Sequence, residues 1–178
     1  MFVLFMTGLS GAGKSTLANA LQAKLAAMSI NCRVIDSDVY RKTINKSLGF
    51  SAADRRANIY SLAKEANRLA HRGIVAIVAA INPFEDQRIE LTKKYDAKII
   101  WIKCNLKKLK ERDTKGLYHK ALLPDNHPDK LWNFTGINDP YEVPVHPGLT
   151  IDTTDANIND SLEELLKYVS DLLKIYSS

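Results

Sequence analysis

Residues 8–16 read Gly8-Leu9-Ser10-Gly11-Ala12-Gly13-Lys14-Ser15-Thr16, and no other stretch restricts the fold of this chain as tightly. An apolar run, Phe2 to Met6, precedes it, and a helical pattern from Thr16 to Met28 follows. Strand, glycine-rich turn and helix, in that order, are what a phosphate-binding loop requires. Glycines let the backbone curl so that successive N–H groups face phosphate oxygens. The helix adds its positive N-terminal end. Lys14 can reach the β- and γ-phosphates, and the Ser15 hydroxyl can ligate Mg²⁺. With glycine near 7% of residues, a chance match to this pattern is expected in fewer than about 1% of chains of this length. The loop implies binding of a nucleoside triphosphate and leaves the second substrate open.

The rest of the chain alternates in period. Phe2–Met6, Cys32–Ile35, Ile74–Ala79 and Lys98–Lys103 read as short buried strands. Helical patterns lie between them, at about Thr16–Met28, Val39–Lys46, Ser51–His71 and Pro83–Tyr95. This order predicts an α/β fold, a parallel sheet covered by helices on both faces. Ligands then collect at the carboxyl ends of the strands. A fifth strand is expected near Leu149–Ile151, and a last helix over Ser161–Tyr176, opened by a Ser161–Glu164 capping box. The stretch Asp113–Pro147 breaks the pattern, with five prolines and three of the four histidines. So long a loop in a compact domain is usually functional. Its Trp132, Phe134 and Tyr141 argue for a lid that closes over ligands and excludes water.

A length of 178 residues fits one domain spanning the chain. Cys32 and Cys104 are too few and too far apart for a metal or disulfide framework, so two reduced thiols are expected. Met1–Met6 is too short for a signal peptide, and no apolar run approaches the ~18 residues of a membrane span. The expected compartment is the cytoplasm, with no membrane partner. The net charge of +5 suits small anionic ligands as well as nucleic acid. The basic run Lys107, Lys108, Lys110, Arg112 and Lys115 begins, in its three leading lysines, as a solvated helix face.

Asp36 and Asp38 follow the second strand and so sit near the phosphate loop. A carboxylate there can hold Mg²⁺ or accept the proton of an attacking hydroxyl; it can equally cap a helix. Arg41 lies one turn beyond Asp38. Phe50-Ser51-x-x-Asp54-Arg55-x-x-Asn58 opens the next helix, with Ser51 and Asp54 as cap residues. Arg55 and Asn58 project to one side. A cation, an amide and an aromatic suit an anionic nucleotide; a capped amphipathic helix with a solvated arginine is the plainer alternative. Ile81-Asn82-Pro83 ends the third strand at the same edge.

Taken together, these segments resemble the adenylyl-sulfate kinase family, P-loop kinases that phosphorylate the 3′-hydroxyl of adenosine 5′-phosphosulfate with ATP and Mg²⁺. The matching pieces are Gly8–Thr16, Asp36-x-Asp38-x-x-Arg41, Leu48–Ser51, Asp54-Arg55 with Asn58, Ile81-x-Pro83, Arg112-Asp113 with Lys115–Tyr118, and Phe134–Ile137 with Asp139–Glu142. The resemblance implies that Gly8, Leu9, Ser10, Gly11, Ala12, Gly13, Lys14, Ser15 and Thr16 bind ATP, with Arg112 on its adenine. It implies Mg²⁺ at Ser15, with Asp36 a second candidate ligand. It places Asp38, Arg41, Phe50, Arg55, Asn58, Ile81, Asn82, Lys115, Asn133 and Phe134 at the adenylyl sulfate. Phe50 and Phe134 would sandwich the adenine. Asp38 would be the base, and Lys14 and Lys115 would serve the transferring phosphate. A homodimer stays open, and no nucleic-acid partner is implied.

The sequence departs from the family pattern at Ser37 and Val39, where glycine and asparagine are usual. Asn82 stands where many members have a serine once assigned to a phosphoenzyme; asparagine cannot carry that phosphate, so direct transfer is expected. The lid is longer over Leu122–Trp132, and Cys104 replaces a frequent acidic residue. Two alternatives remain: the same fold acting on another anionic nucleotide, and a nucleotide- or nucleic-acid-binding protein without turnover.

Overall fold

The structure, a computed structural model, describes residues 1–177. Its strands are β1 (Val3–Thr7), β2 (Cys32–Asp36), β3 (Val75–Ala79), β4 (Lys98–Lys103) and β5 (Leu149–Asp152). They form one sheet in the order β2-β3-β1-β4-β5, every pair parallel. The helices are α1 (Lys14–Ala27), α2 (Ser37–Lys42), α3 (Ala52–His71), α4 (Glu85–Tyr95), α5 (Leu106–Arg112), α6 (Leu117–Leu122) and α7 (Ile158–Ser177).

The central strands β1 and β3 are buried along their whole length, which is why they read as continuous apolar runs. Side chains alternate along β1. Leu4 and Met6 join a core with Leu17 and Leu21 of α1 and Leu165 and Val169 of α7. Val3 and Phe5 join a second core with Ile59 and Leu62 of α3 and Leu91 of α4. The chain leaves β1 through α1 toward β2 and leaves β3 through α4 toward β4. The two connections diverge, so a crevice opens at the carboxyl ends of β1 and β3, the usual ligand position in such sheets. Thr7 stitches its floor: its Oγ1 donates to Ile81 O at 2.6 Å and pairs with the Tyr141 hydroxyl at 3.0 Å.

Four expectations are corrected. Helix α2 starts and ends earlier than Val39–Lys46, because Asp36 caps it, Oδ1 accepting from Asp38 N at 2.8 Å. Helix α4 starts at Glu85 rather than Pro83, after Asn82 takes a φ of +46°. Helix α7 begins at Ile158, and its cap is Asn157, whose Oδ1 accepts from Asp160 N at 2.9 Å. Ser161 is instead buried inside the helix, its hydroxyl donating to Asn157 O at 3.1 Å. Finally, the 113–147 stretch is not structureless. Helix α6 forms there because the Asp113 carboxylate accepts from Tyr118 N and His119 N.

Gly8 shows how tightly the loop is seated. Its φ is +149°, and a Cβ would lie 2.3 Å from the Ile102 carbonyl oxygen of β4. That oxygen belongs to the sheet and cannot yield. Gly8→Ala is expected to cost more than about 2 kcal/mol in urea unfolding. Gly73→Ala, with φ +76° and open space around it, is expected to cost about 1 kcal/mol. Equal costs would contradict this account of the loop.

Candidate active site

The crevice widens into a cavity of about 1120 Å³, larger than the ~300–1,000 Å³ of a usual one-ligand pocket. One wall is the loop and first turn of α1, through Lys14, Ser15 and Thr16. The facing walls come from the starts of α2 and α3, from Ile81 and Asn82 after β3, and from Lys115 and residues 130–135. The sequence-derived candidates thus converge, with Gly8, Leu9, Ala12 and Arg112 set behind the lining.

Lys14 is buried, and among the described residues its ammonium donates only to two loop carbonyls, Gly8 O at 2.9 Å and Leu9 O at 2.8 Å. Burial pulls its pKa down from 10.5 to about 8, with Lys115 pushing the same way and Asp38 and Asp36 opposing. Beside it, Ser15 Oγ donates to Asp36 Oδ2 at 2.5 Å. The remaining oxygen of Asp36 is spent on the α2 cap, so this carboxylate both starts a helix and faces the loop.

Asp38 is paired with Lys115, a contact that joins α2 to the 113–147 lid. Arg41 donates to Gly49 O at 2.8 Å and lies 4.7 Å from the Phe50 ring centroid. Its guanidinium is pressed below its ordinary pKa, first by burial and then by repulsion from Arg55. Two cations so close, both near one aromatic ring, are chemically suited to an anion.

Arg55 is buried, not solvated. It donates to Phe50 O at 3.0 Å and Asn133 O at 2.5 Å, and pairs with Asp139 at 3.2 Å. One arginine thus holds the Phe50 turn and the lid together. Phe50 is 56% exposed, whereas Phe134 is 6% exposed and meets the Tyr118 ring edge-on at 4.9 Å. Both line the cavity. The Tyr118 hydroxyl donates to Ser10 O at 2.8 Å, and a Cβ on Gly136 would lie 2.6 Å from the Leu9 side chain. The lid therefore rests directly on the phosphate loop.

Asn58 is placed differently from the other candidates, its amide being bonded within the protein. Its Nδ2 donates to Ser37 Oγ at 3.0 Å, and its Oδ1 accepts from Asn45 Nδ2 at 2.9 Å. Arg112 donates to Thr153 O at 2.8 Å and Thr154 O at 3.2 Å, and Thr153 Oγ1 in turn donates to Ala12 O. That braces the back of the loop. Sequence reasoning gave no role to Asp139, Asn45 or Tyr118. Their partners lie 13 to 108 positions away in the chain, and no local pattern reports such contacts.

Ser15 and Asp36 form an oxygen-only pair at the loop. That donor set fits Mg²⁺, which takes one or two protein oxygens plus phosphate and water. Among the described residues, no cluster of three or more His, Cys, Asp or Glu could hold a metal alone.

Residues 1–152 match the family model described as adenylylsulphate kinase. The chain belongs to the adenylyl-sulfate kinase family. The curated adenylyl-sulfate kinase of Oceanobacillus iheyensis is 39% identical over 95% of this chain and 84% of its own length. That of Deinococcus deserti is 39% identical over 94% of this chain and 90% of its own. A Mycobacterium tuberculosis APS kinase, solved in complex with AMPPNP and APS, superposes with a TM-score of 0.87 and 33% identity, covering 95% of this chain and 97% of that one.

Against the pattern of adenylyl-sulfate kinases, the departure at Ser37 now has a structural consequence. The hydroxyl that replaces glycine is the group Asn58 holds, so the start of α2 is tied to α3.

The buried Lys14 makes a prediction about protons. Its pKa is about 8 here and about 10.4 when unfolded. Below pH 8 both states are charged and the fold carries the full burial penalty; as pH rises toward the unfolded value, that penalty is lifted and stability increases. A bound triphosphate restores the charge. MgATP binding at pH 9 should therefore take up about one proton, and almost none from this group at pH 7. Calorimetry in two buffers of different ionisation enthalpy reads this directly, and no uptake at pH 9 would contradict it.

Proposed function

We propose that this protein transfers the γ-phosphoryl group of ATP to the 3′-hydroxyl of adenosine 5′-phosphosulfate. The observation that carries the reading is one shared cavity in a member of this family. It sets Lys14 and Ser15 on one side and Asp38, Arg41, Arg55 and the two phenylalanines on the other.

In this reading Gly8 to Thr16 wrap the ATP phosphates, Lys14 neutralises the transferring group, and Arg112 supports the adenine end. Ser15 and Asp36 would hold Mg²⁺, which would neutralise negative charge on the triphosphate. Phe50 and Phe134 hold the acceptor adenine, and Arg41 and Arg55 face its anionic end beside Ile81, Asn82 and Asn133. Asn58 acts on the acceptor by fixing α2 through Ser37.

Asp38 takes the proton from the 3′-hydroxyl as its oxygen bonds to the γ-phosphorus and the bond to the β-phosphate oxygen breaks, releasing ADP. In the free protein Lys115 holds that carboxylate. An arriving γ-phosphate competes for Lys115, so the base is freed when its substrate is in place. Transfer is direct, because the Asn82 amide carries no nucleophile for a phosphoenzyme. Positioning and cations supply most of the rate in such loose, anionic transition states.

A coupled assay with ATP, Mg²⁺ and adenosine 5′-phosphosulfate tests the activity, and well-folded protein that makes no 3′-phosphorylated product would remove the reading. Lys14→Ala should abolish turnover. Asp38→Asn should lower kcat at least about 100-fold while the ATP KM stays within about threefold. Unchanged turnover in either variant would contradict the role given to that residue.

A further inference from the structure

Arg88, in the first turn of α4, is 2% exposed and among the largest fully buried side chains in the protein. A guanidinium removed from water is tolerated only when its donors are met. Its Nε donates to Glu85 Oε2 at 2.7 Å. Its two terminal nitrogens reach carbonyls from separate parts of the chain, Asn82 O at 2.5 Å and Glu142 O at 2.5 Å. The first carbonyl belongs to the cavity wall after β3. The second belongs to the far end of the lid.

Asn82 is the unusual member of this set. Its φ is +46°, in the left-handed region that non-glycine residues seldom adopt. It is 1% exposed and lines the cavity, yet both Oδ1 and Nδ2 lack a partner. A buried amide with neither end satisfied is costly unless a ligand completes it. The lid is fastened to the same place. Glu142 N donates to Pro83 O at 2.9 Å, the Glu142 carboxylate accepts from Glu85 N at 2.6 Å, and Glu85 Oε1 accepts from Val145 N at 2.9 Å.

We propose that Arg88 is a positioning residue for acceptor binding. By gripping the Asn82 carbonyl it keeps that residue in the left-handed conformation that holds the unpaired amide in the cavity wall. By gripping the Glu142 carbonyl it couples that conformation to the seating of the lid. The amide offers one acceptor and two donor hydrogens to a polar, non-reacting part of the acceptor nucleotide. ATP, held across the crevice by the phosphate loop, does not depend on this grip. The inference rests on the kinase reading above and adds a residue that touches neither substrate.

Steady-state kinetics with each substrate varied in turn test it. Arg88→Met should raise the KM for adenosine 5′-phosphosulfate about tenfold or more, with the ATP KM within about twofold. Asn82→Ala should show the same acceptor-side loss. Combining the two should raise the acceptor KM no more than about threefold above Asn82→Ala alone, because the amide that Arg88 aims is gone. Should Arg88→Met not fold, Arg88→Lys, which keeps the charge and loses the planar fork, reads the same split between substrates. Equal rises in both KM values, or fully multiplied losses in the double variant, would overturn the inference while leaving the kinase intact. Wild-type protein inactive on adenosine 5′-phosphosulfate would instead remove the kinase reading, and this inference with it.

Discussion

An ammonium group buried against two carbonyl oxygens, with no carboxylate bonded to it, is the constraint around which this site is arranged. Lys14 occupies that position because Gly8 seats the loop against β4 and α1 begins at the lysine itself. The fold gives up part of the ordinary stability of a lysine charge there. An incoming triphosphate recovers it, so binding energy is stored at the place where phosphorus must transfer.

The neighbouring cations are held differently. Lys115 is paired with Asp38, and Arg55 with Asp139. Each pair crosses between the sheet's own helices and the lid. Without substrate these contacts tie the lid to α2 and α3. With substrate, phosphate or sulfate oxygens compete for the same donors. In the proposed reaction the lid exchanges internal counter-ions for substrate ones, which keeps the cavity's charge balanced while Asp38 is released. Its two ends are anchored, one by the Tyr118 hydroxyl on Ser10 O and the other by Arg88 on Glu142 O.

The centre of the sheet was legible because β1 and β3 are buried on both faces, so runs such as Phe2–Met6 contain no polar interruption. Ser51 with Asp54 could be read as a cap, and the structure shows Ser51 Oγ accepting from Asp54 N. The last helix misled for a specific reason. Ser161-x-x-Glu164 and Asn157-x-x-Asp160 both fit a capping pattern, and only the burial of Ser161 decides between them. Helix α6 escaped notice because six residues hold too few turns to show a period. The convergence of Asp38, Arg41, Arg55 and Asn82 was legible from their places at strand ends and helix starts. The partners that fix them were not, since Arg55 meets Asn133 across 78 positions and Arg88 meets Glu142 across 54.

The central claim is that two nucleotides meet end to end above the phosphate loop, with Asp38 released from Lys115 at the acceptor hydroxyl. A crystal structure with a non-hydrolysable ATP analogue and adenosine 5′-phosphosulfate measures it most directly. The account predicts an Asp38 carboxylate oxygen within about 3 Å of the 3′-oxygen and the Lys115 ammonium on a phosphate. Asp38 still paired with Lys115, and a 3′-oxygen beyond its reach while both ligands are bound, would contradict it.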